Sequence, residues 1–191
     1  MRSGRYTAGT AIQYQPSMVS GALTHQHLAT GFDVGMRLHS APVIRLSDAK
    51  PVHLGHTIKA DGRWHLFAFS GAENATGPSS KIHSVCEFLT NSPDSPVRKY
   101  TPEGADIDSV FDVKAVYQQG FRELNFSDMP ELLLPKKGRY GLVDYEKVFC
   151  AQAVNDIFDL RGIDRSSGCM VVVRPDQHVA SVLPLTAHAE L

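Results

Sequence analysis

The sequence is short of the features that mark membrane proteins and nucleic-acid-binding proteins. No apolar run approaches the roughly 20 residues that span a bilayer, and the N-terminal stretch lacks the apolar core of a signal peptide. The 19 basic residues are scattered and are balanced by 20 acidic ones, so no electrostatic surface for nucleic acid or for an acidic membrane is predicted. We therefore expect a cytoplasmic protein that binds neither.

Cysteine is also scarce. Cys86, Cys150 and Cys169 are odd in number and widely spaced, which favours neither a disulfide framework nor a paired-cysteine metal site. Disulfide exchange normally uses a C-x-x-C motif at a helix N-terminus, and that motif is missing. Because each cysteine lies within apolar sequence, we expect three buried, inert thiols. A thiol-dependent redox activity stays open as a third-ranked hypothesis.

The chain lacks the G-x-G-x-x-G turn with which dinucleotide-binding domains approach a pyrophosphate. No cofactor is therefore predicted in this chain. Sequons at Asn74 and Asn125 would matter only in a secreted protein, so they are interpreted as chance matches.

What the sequence does contain is enough strand and helix pattern for one ordinary domain. Apolar, β-branched runs predict strands over residues 42–46, 64–70 and 109–117. The run at 64–70 is nearly continuous, which is typical of a strand covered on both faces. Three further segments are assigned less sharply: 129–134 as a short helix or turn, 145–150 as a strand or helix start, and 151–159 as the start of a helix.

One segment has clear helical periodicity. Residues 79–89 place apolar side chains at i, i+3, i+4 and i+7, which are Ile82, Val85, Cys86 and Leu89. Ser79 or Ser80 can serve as the N-cap, and residues 91–93 end the helix. A helix that covers the preceding strand is predicted.

The segment 169–185 predicts a β-hairpin. Two apolar, β-branched runs flank a Pro-Asp-Gln break. Pro175 presets φ for a turn, and the side chain of Asp176 can hydrogen-bond its own backbone.

The order strand, helix, strand, helix, strand, strand indicates an α/β fold with a mixed sheet, and this pattern alone leaves several α/β folds open. Before the first strand, residues 1–41 are rich in Gly, Ser, Thr and His and show little periodicity. They are interpreted as an irregular, extended arm that needs a partner surface to order it.

The hairpin closely resembles the last hairpin in the C-terminal domain of flavin-dependent phenol hydroxylases and related aromatic-ring monooxygenases. The resemblance extends along the chain in matching order, through residues 9–14, 35–37, 61–69, 133–145, 162–164 and 174–177. It implies a thioredoxin-like fold, with a central mixed sheet and flanking helices. It also implies a division into residues 1–41, a linker to a missing flavin domain, and residues 42–191, a dimerisation domain.

In that family FAD and NAD(P)H are bound by the full-length enzyme, outside the part that this chain resembles. The resemblance therefore implies a redox-inactive dimerisation module, whose partner is a second copy or a flavin monooxygenase catalytic subunit. The alternative is a fragment or split subunit of an enzyme that hydroxylates a phenolic substrate, and Met1 opening into linker-like sequence favours truncation. Catalysis by the chain alone is not expected.

No catalytic, cofactor-binding or metal residue is predicted. The pairs His25/His27 and His53/His56 would supply four imidazoles, an acceptable zinc shell by ligand type. They lie in polar, loop-like sequence without i, i+4 spacing, so surface histidines are the stronger interpretation. The aromatic residues that an imagined ring-stacking pocket would use are instead assigned to core packing; they are Tyr14, Trp64, Phe67 and Phe69.

The remaining candidates are charged. The turns at 136–139 and 161–165 are interpreted as solvated loops rather than anion sites. Arg174, at the end of a buried strand, must reach solvent or pair with a carboxylate. Asp176 and Asp164 are its candidate partners, in a structural pair.

Overall fold

The computed structural model describes residues 11–72 and 77–191. Part of the 9–14 segment and the sequon at Asn74 therefore lie outside the described residues. The strands are β1 Pro42–Arg45, β2 Pro51–His53, β3 Trp64–Phe69, β4 Phe111–Tyr117, β5 Lys136–Lys137, β6 Leu142–Val143, β7 Val148–Ala151, β8 Cys169–Val173 and β9 Val179–Leu183. The α-helices are α1 Lys81–Asn91, α2 Pro96–Tyr100 and α3 Ile157–Leu160.

Seven of the strands form one mixed sheet, in the order β2-β1-β7-β4-β3-β8-β9. Strands β3 and β4 are parallel and are connected through α1. On the other side of β3, β8 and β9 add as an antiparallel hairpin. The order β4-β3-β8-β9 around a β-α-β unit is a thioredoxin-like arrangement, so the predicted α/β fold is confirmed.

Strand β3 lies between β4 and β8, well inside the sheet. Phe67 and Phe69 are fully buried in a hydrophobic cluster on one face. Leu66 and Ala68 are buried in a second cluster on the other face, which α1 covers. A strand buried on both faces has no polar alternation, which explains its continuous apolar run.

Helix α1 begins where a serine cap permits it. The Ser80 hydroxyl oxygen accepts a hydrogen bond from the His83 N–H at 3.1 Å, which satisfies one of the unpaired donors of the first turn. The predicted apolar stripe, Ile82, Val85, Cys86 and Leu89, is buried. The helix starts and ends two residues later than the predicted 79–89.

The predicted hairpin forms with a three-residue loop. The Gln177 N–H donates to the Arg174 carbonyl at 2.9 Å, and the Arg174 N–H donates to the His178 carbonyl at 2.8 Å. Gln177 has a φ of 68°, in the left-handed region. A turn followed by one left-handed residue is a common three-residue hairpin loop, and Pro175 supplies the φ of its first central position.

The helix predicted over 151–159 is largely wrong. Residue 151 is the last residue of β7, which begins at Val148 and pairs with β4. Of the two interpretations of 145–150, the strand is therefore the correct one. Helix α3 is only four residues long and starts late because Asp156 caps it: its carboxylate accepts a hydrogen bond from the Phe158 N–H at 2.8 Å. The 129–134 segment contains the 3-10 turn Glu131–Leu133.

The segment before β1 contributes to the core. Leu28, Phe32 and Val34 are buried in the cluster that contains Phe67 and Phe69. Its backbone also bonds to the edge strand β9, since the Gly35 N–H donates to the Val179 carbonyl at 2.8 Å. This segment therefore covers much of the edge that β9 would otherwise present.

Among residues 11–72 and 77–191, no helix combines the length and the apolar character needed to cross a membrane.

Candidate functional site

The three thiols are all free and buried. Burial raises the pKa of Cys86 to about 12 and that of Cys150 to about 12. Burial also raises the pKa of Cys169. A thiol kept protonated and away from solvent is a poor nucleophile, because the thiolate is the reactive form. The start of α1, where a helix N-terminus would lower the pKa of a thiol, is capped by Ser80 instead.

The two histidine pairs do not converge on one centre. The ring centroids of His25 and His27 are 6.4 Å apart, and those of His53 and His56 are 5.4 Å apart. His25 lies beside Glu190, with Nε2 at 3.5 Å from its carboxylate. Across the described part of the chain, no three His, Cys, Asp or Glu side chains come close enough together to hold a metal ion.

Arg174 joins the hairpin to the N-terminal segment. Its guanidinium donates to the Asp176 carboxylate at 2.6 Å and to the Ser20 hydroxyl at 3.2 Å. It also lies over the ring of Tyr14, 4.9 Å from the centroid. Of the two predicted partners Asp176 is the observed one, since Asp164 accepts instead from nearby backbone and hydroxyl groups in its own turn.

The aromatic residues do not form a common pocket. Phe69 packs against Phe32 and Phe158, with ring centroids 5.7 Å and 5.8 Å away. Trp64 lies at the start of β3 and stacks on Phe111, and Tyr14 contacts the hairpin instead.

The largest polar feature is a cluster of charged side chains at the beginning of the two parallel strands. The register of β3 and β4 places His65 directly opposite Asp112. Lys114 is two residues further along β4 and therefore points to the same face. Lys147, just before β7, completes the centre by reaching Asp112 and Asp108; the Nζ–carboxylate distance to Asp108 is 2.6 Å.

These groups are buried, so their charges must be balanced locally. Burial alone would raise the pKa of Asp112, but the hydrogen bond with His65 and the charges of Lys114 and Lys147 hold it well below its usual range. Burial lowers the pKa of Lys114 to about 8 against the opposing charge of Asp112. At neutral pH Asp112 is therefore an anion that neighbouring cations stabilise.

The rim of the cluster supplies further ion pairs. Arg63 bridges Asp61 at 2.8 Å and Asp108 at 3.2 Å. Lys137 bridges Asp108 at 2.6 Å and Asp144 at 2.8 Å. Together with the centre, four cationic side chains face four carboxylates; they are Arg63, Lys114, Lys137 and Lys147 against Asp61, Asp108, Asp112 and Asp144.

The carboxylates of this cluster are taken up by ion pairs, while the buried Nε2 of His65 has no hydrogen-bond partner. Both carboxylate oxygens of Asp112 are already bonded, and the charges cancel. Its effect is to connect β3, β4 and β7 at one end of the sheet. Sequence reasoning missed it, and placed Lys137 in a solvated turn. The sequence feature that could have revealed the cluster is the pair of charged residues Asp112 and Lys114 inside the otherwise apolar strand β4.

Several large apolar side chains of the described residues are exposed, and two sets of them are close together in sequence. One lies in the N-terminal segment and includes Met18 and Val19. The other lies on and beside the β5–β6 hairpin and includes Tyr140, Leu142 and Tyr145. Contiguous exposed apolar surface marks interaction sites more often than chance does.

The order of the mixed sheet defines a thioredoxin-like domain. Among the residues described, all three thiols are buried, and several large apolar side chains are exposed. Residues 12–191 match the family described as phenol hydroxylase, C-terminal dimerisation domain. The chain belongs to this family, and the resemblance drawn from the sequence is confirmed.

Two curated relatives extend the comparison. The chain is 54% identical over 191 residues to 3-hydroxybenzoate 4-monooxygenase of Comamonas testosteroni, covering 98% of this chain and 30% of that protein. It is 31% identical over 194 residues to the FAD-dependent monooxygenase terD of Aspergillus terreus, covering 98% and 31%. The chain therefore spans about a third of the length of these relatives.

The similarity to solved structures is distant. A thiol:disulfide interchange protein from a Bacteroides species is 13% identical, with 82% of each chain covered and a TM-score of 0.43. The thioredoxin domain of a thiol-disulfide oxidoreductase from Bacteroides vulgatus is 12% identical, with 75% of this chain and 81% of that chain covered and a TM-score of 0.39.

Proposed function

We propose that this chain is a redox-inactive dimerisation module of an FAD-dependent, phenol hydroxylase-type aromatic monooxygenase. The observation that carries the proposal is the family match over residues 12–191. In this proposal residues 1–41 lead in from a flavin domain and residues 42–191 form the dimerisation domain, whose core also takes in Leu28, Phe32 and Val34 of the leading segment. Its partner is a second copy or a flavin-binding catalytic subunit, in the cytoplasm, and the chain itself holds no FAD or NAD(P)H.

Oligomeric state is the direct test. Size-exclusion chromatography with light scattering, over a range of concentrations, is expected to give a dimer. Incubating the chain with a flavin monooxygenase catalytic subunit tests the second partner in the same experiment. A chain that stays monomeric and joins neither partner would overturn the proposal.

The redox part of the proposal is supported by the environment of the thiols. Cys86, Cys150 and Cys169 are buried and their pKa values are raised, so little thiolate is present at neutral pH. No C-x-x-C motif supplies a resolving thiol.

We predict that a colorimetric thiol reagent reacts with almost none of the three cysteines in the native chain at pH 7.5. All three are expected to react at once in concentrated denaturant, because unfolding exposes them and returns their pKa to the ordinary range. The denatured sample is the control for reagent and protein concentration. Rapid modification of one cysteine in the folded chain would contradict redox inactivity.

The alternative is that the chain is a fragment or split subunit of the parent enzyme, which would hydroxylate a phenolic substrate with FAD and NAD(P)H. The 54% identity to a 3-hydroxybenzoate 4-monooxygenase over 30% of its length favours this alternative. A neighbouring reading frame that encodes a glycine-rich flavin motif would support it. A purified chain that is colourless and takes up no FAD would show that the chain alone is not the enzyme.

A further inference from the structure

A cavity of about 310 Å³ lies on the side of the sheet that α1 covers, between the strands and the irregular segments around them. Three apolar side chains on neighbouring strands form its floor, since Leu66 of β3 is paired with Val113 of β4 and with Val172 of β8. Protein interiors leave few voids larger than a water molecule. An unfilled space of this size over apolar strands is therefore a candidate pocket for a small molecule.

One wall of the cavity is aromatic. Trp64 and Phe111 lie opposite each other at the starts of β3 and β4 and stack, with ring centroids 6.4 Å apart and planes inclined by 29°. Both line the cavity and are only half-buried, whereas Phe67 and Phe69 further along β3 are fully buried. Contact between rings stabilises beyond the burial of area alone, so the ring of a ligand is well suited to cover this open aromatic surface.

The volume and the hydroxyl groups of the cavity limit the ligand further. An apolar cavity of about 150 Å³ admits benzene, so the observed volume suits one ring with a short substituent. Thr24 and Ser181, which carry hydroxyl groups, also line the cavity. Ser181 is paired with Val172 and therefore lies on the same face as the floor. Because a hydroxyl group can donate and accept, these side chains can bind one polar substituent.

The charged groups of the cavity disfavour a charged ligand. Among the described residues that line it, no lysine or arginine is present, so a carboxylate would leave water without a strong counter-charge. Glu190 is the acidic side chain of the lining, but it faces His25 at 3.5 Å and is 55% exposed. Solvent screens such a group, so a bound ammonium would gain little from it. An uncharged ligand avoids both costs.

We propose that this cavity binds a small uncharged aromatic molecule, with one ring and one hydrogen-bonding substituent. The ring lies over the apolar floor against Trp64 and Phe111, and the substituent reaches Thr24 or Ser181. This inference does not depend on the dimerisation function, because the cavity is built within one copy of the chain.

The test titrates the full chain with benzyl alcohol. Trp64 is the only tryptophan of the sequence and lines the cavity, so its emission reports occupation, and amide chemical shifts locate the ligand. A Kd of about 1 mM is expected, as is usual for a ligand of this size. Three comparison probes test the class: cyclohexylmethanol lacks the aromatic ring, benzoate is an anion and benzylamine is a cation. Each should bind at least about five-fold more weakly.

Val172→Phe tests the location, because the added ring would occupy the space above the floor. It is expected to weaken the binding of benzyl alcohol about ten-fold or more. Val154→Phe is the matched control, since Val154 is 86% exposed and does not line the cavity, and it should bind like the unmodified chain. Urea unfolding shows whether each variant is folded.

Glu190→Lys tests the charge argument at an exposed position that does not threaten the fold. It is expected to strengthen benzoate binding about five-fold or more and to change benzyl alcohol binding less than two-fold. Shifts around the cavity, and their loss in Val172→Phe, support the proposal. Benzyl alcohol that gives no saturable shifts, or shifts elsewhere, overturns the site. Benzoate, benzylamine or cyclohexylmethanol binding equally well, or a Glu190→Lys chain with unchanged benzoate affinity, overturns the ligand class.

Discussion

Gly168→Ala is expected to destabilise the fold by more than about 4 kcal/mol, the range reached only by severe backbone or core disruption. Gly168 has a φ of 66°, and a Cβ built on it would lie 2.3 Å from the Phe69 carbonyl oxygen and 2.7 Å from the Gly71 nitrogen. All the colliding atoms are backbone, so no side chain can rotate away. They belong to the last residue of the buried strand β3 and to the two residues after it, at the point where β8 pairs with β3.

Gly62→Ala is the matched control for this prediction. Gly62 has a φ of 83°, but a Cβ there would meet no atom within 4 Å. It therefore isolates the left-handed backbone strain, about 1–2 kcal/mol for a non-glycine residue. Urea unfolding followed by circular dichroism measures both variants. Similar losses in the two would show that backbone strain alone, and not the collision with β3, sets the requirement at Gly168.

The elements that the sequence predicted well are those whose local pattern and tertiary role agree. Strand β3 is apolar apart from His65 because it is buried on both faces. Helix α1 combines a serine cap with an apolar stripe of helical period. The hairpin β8–β9 follows from Pro175 and Asp176 between two apolar runs. The burial of Cys86 followed from the same stripe, and needed no tertiary information.

What could not be predicted depends on contacts between distant segments. Leu28 and Phe32 are separated by irregular backbone and fill the core without any regular period. Helix α3 starts at Ile157 because Asp156 caps it, and residues up to Ala151 belong to β7. No window of local sequence contains both the strand pairing and the cap.

The ion cluster is the clearest example of this limit. Its members come from four separate segments, and Asp112 contacts His65 across 47 positions of the chain. Taken singly, Lys137 and Lys147 look like ordinary solvated lysines. Only the parallel register of β3 and β4 and the adjacent β7 bring them against buried carboxylates.

Asp112→Asn is expected to destabilise the chain by about 3–5 kcal/mol, the range for breaking a buried ion pair by removing one partner. The change keeps the size of the side chain but removes the negative charge that Lys114 and Lys147 share. Both lysines would then be buried without their main counter-charge, because Asp108 reaches only Lys147 and the rim. Urea unfolding at pH 7 measures the loss.

The dependence of this loss on pH distinguishes an ionic effect from a packing defect. The pKa of Asp112 is held below its usual range in the folded chain, so its stabilisation is complete above the unfolded pKa of about 3.9 and is lost as the pH falls towards the folded value. The difference in unfolding free energy between the unmodified chain and Asp112→Asn should therefore shrink from pH 6 to pH 3. A constant difference would contradict the ionic origin.

Asp48→Asn provides the surface comparison. Asp48 pairs with Arg45 at 2.7 Å, and this hydrogen bond lowers its pKa to about 2, but the carboxylate is solvent-exposed. Exposed pairs of this kind contribute little, because water screens the charges and both side chains lose rotamer freedom. The pKa is thus lowered for both carboxylates, but only for Asp112 is the opposing effect of burial the largest single influence. Burial, and not the pKa shift itself, is what makes the charge of Asp112 necessary for connecting β3, β4 and β7.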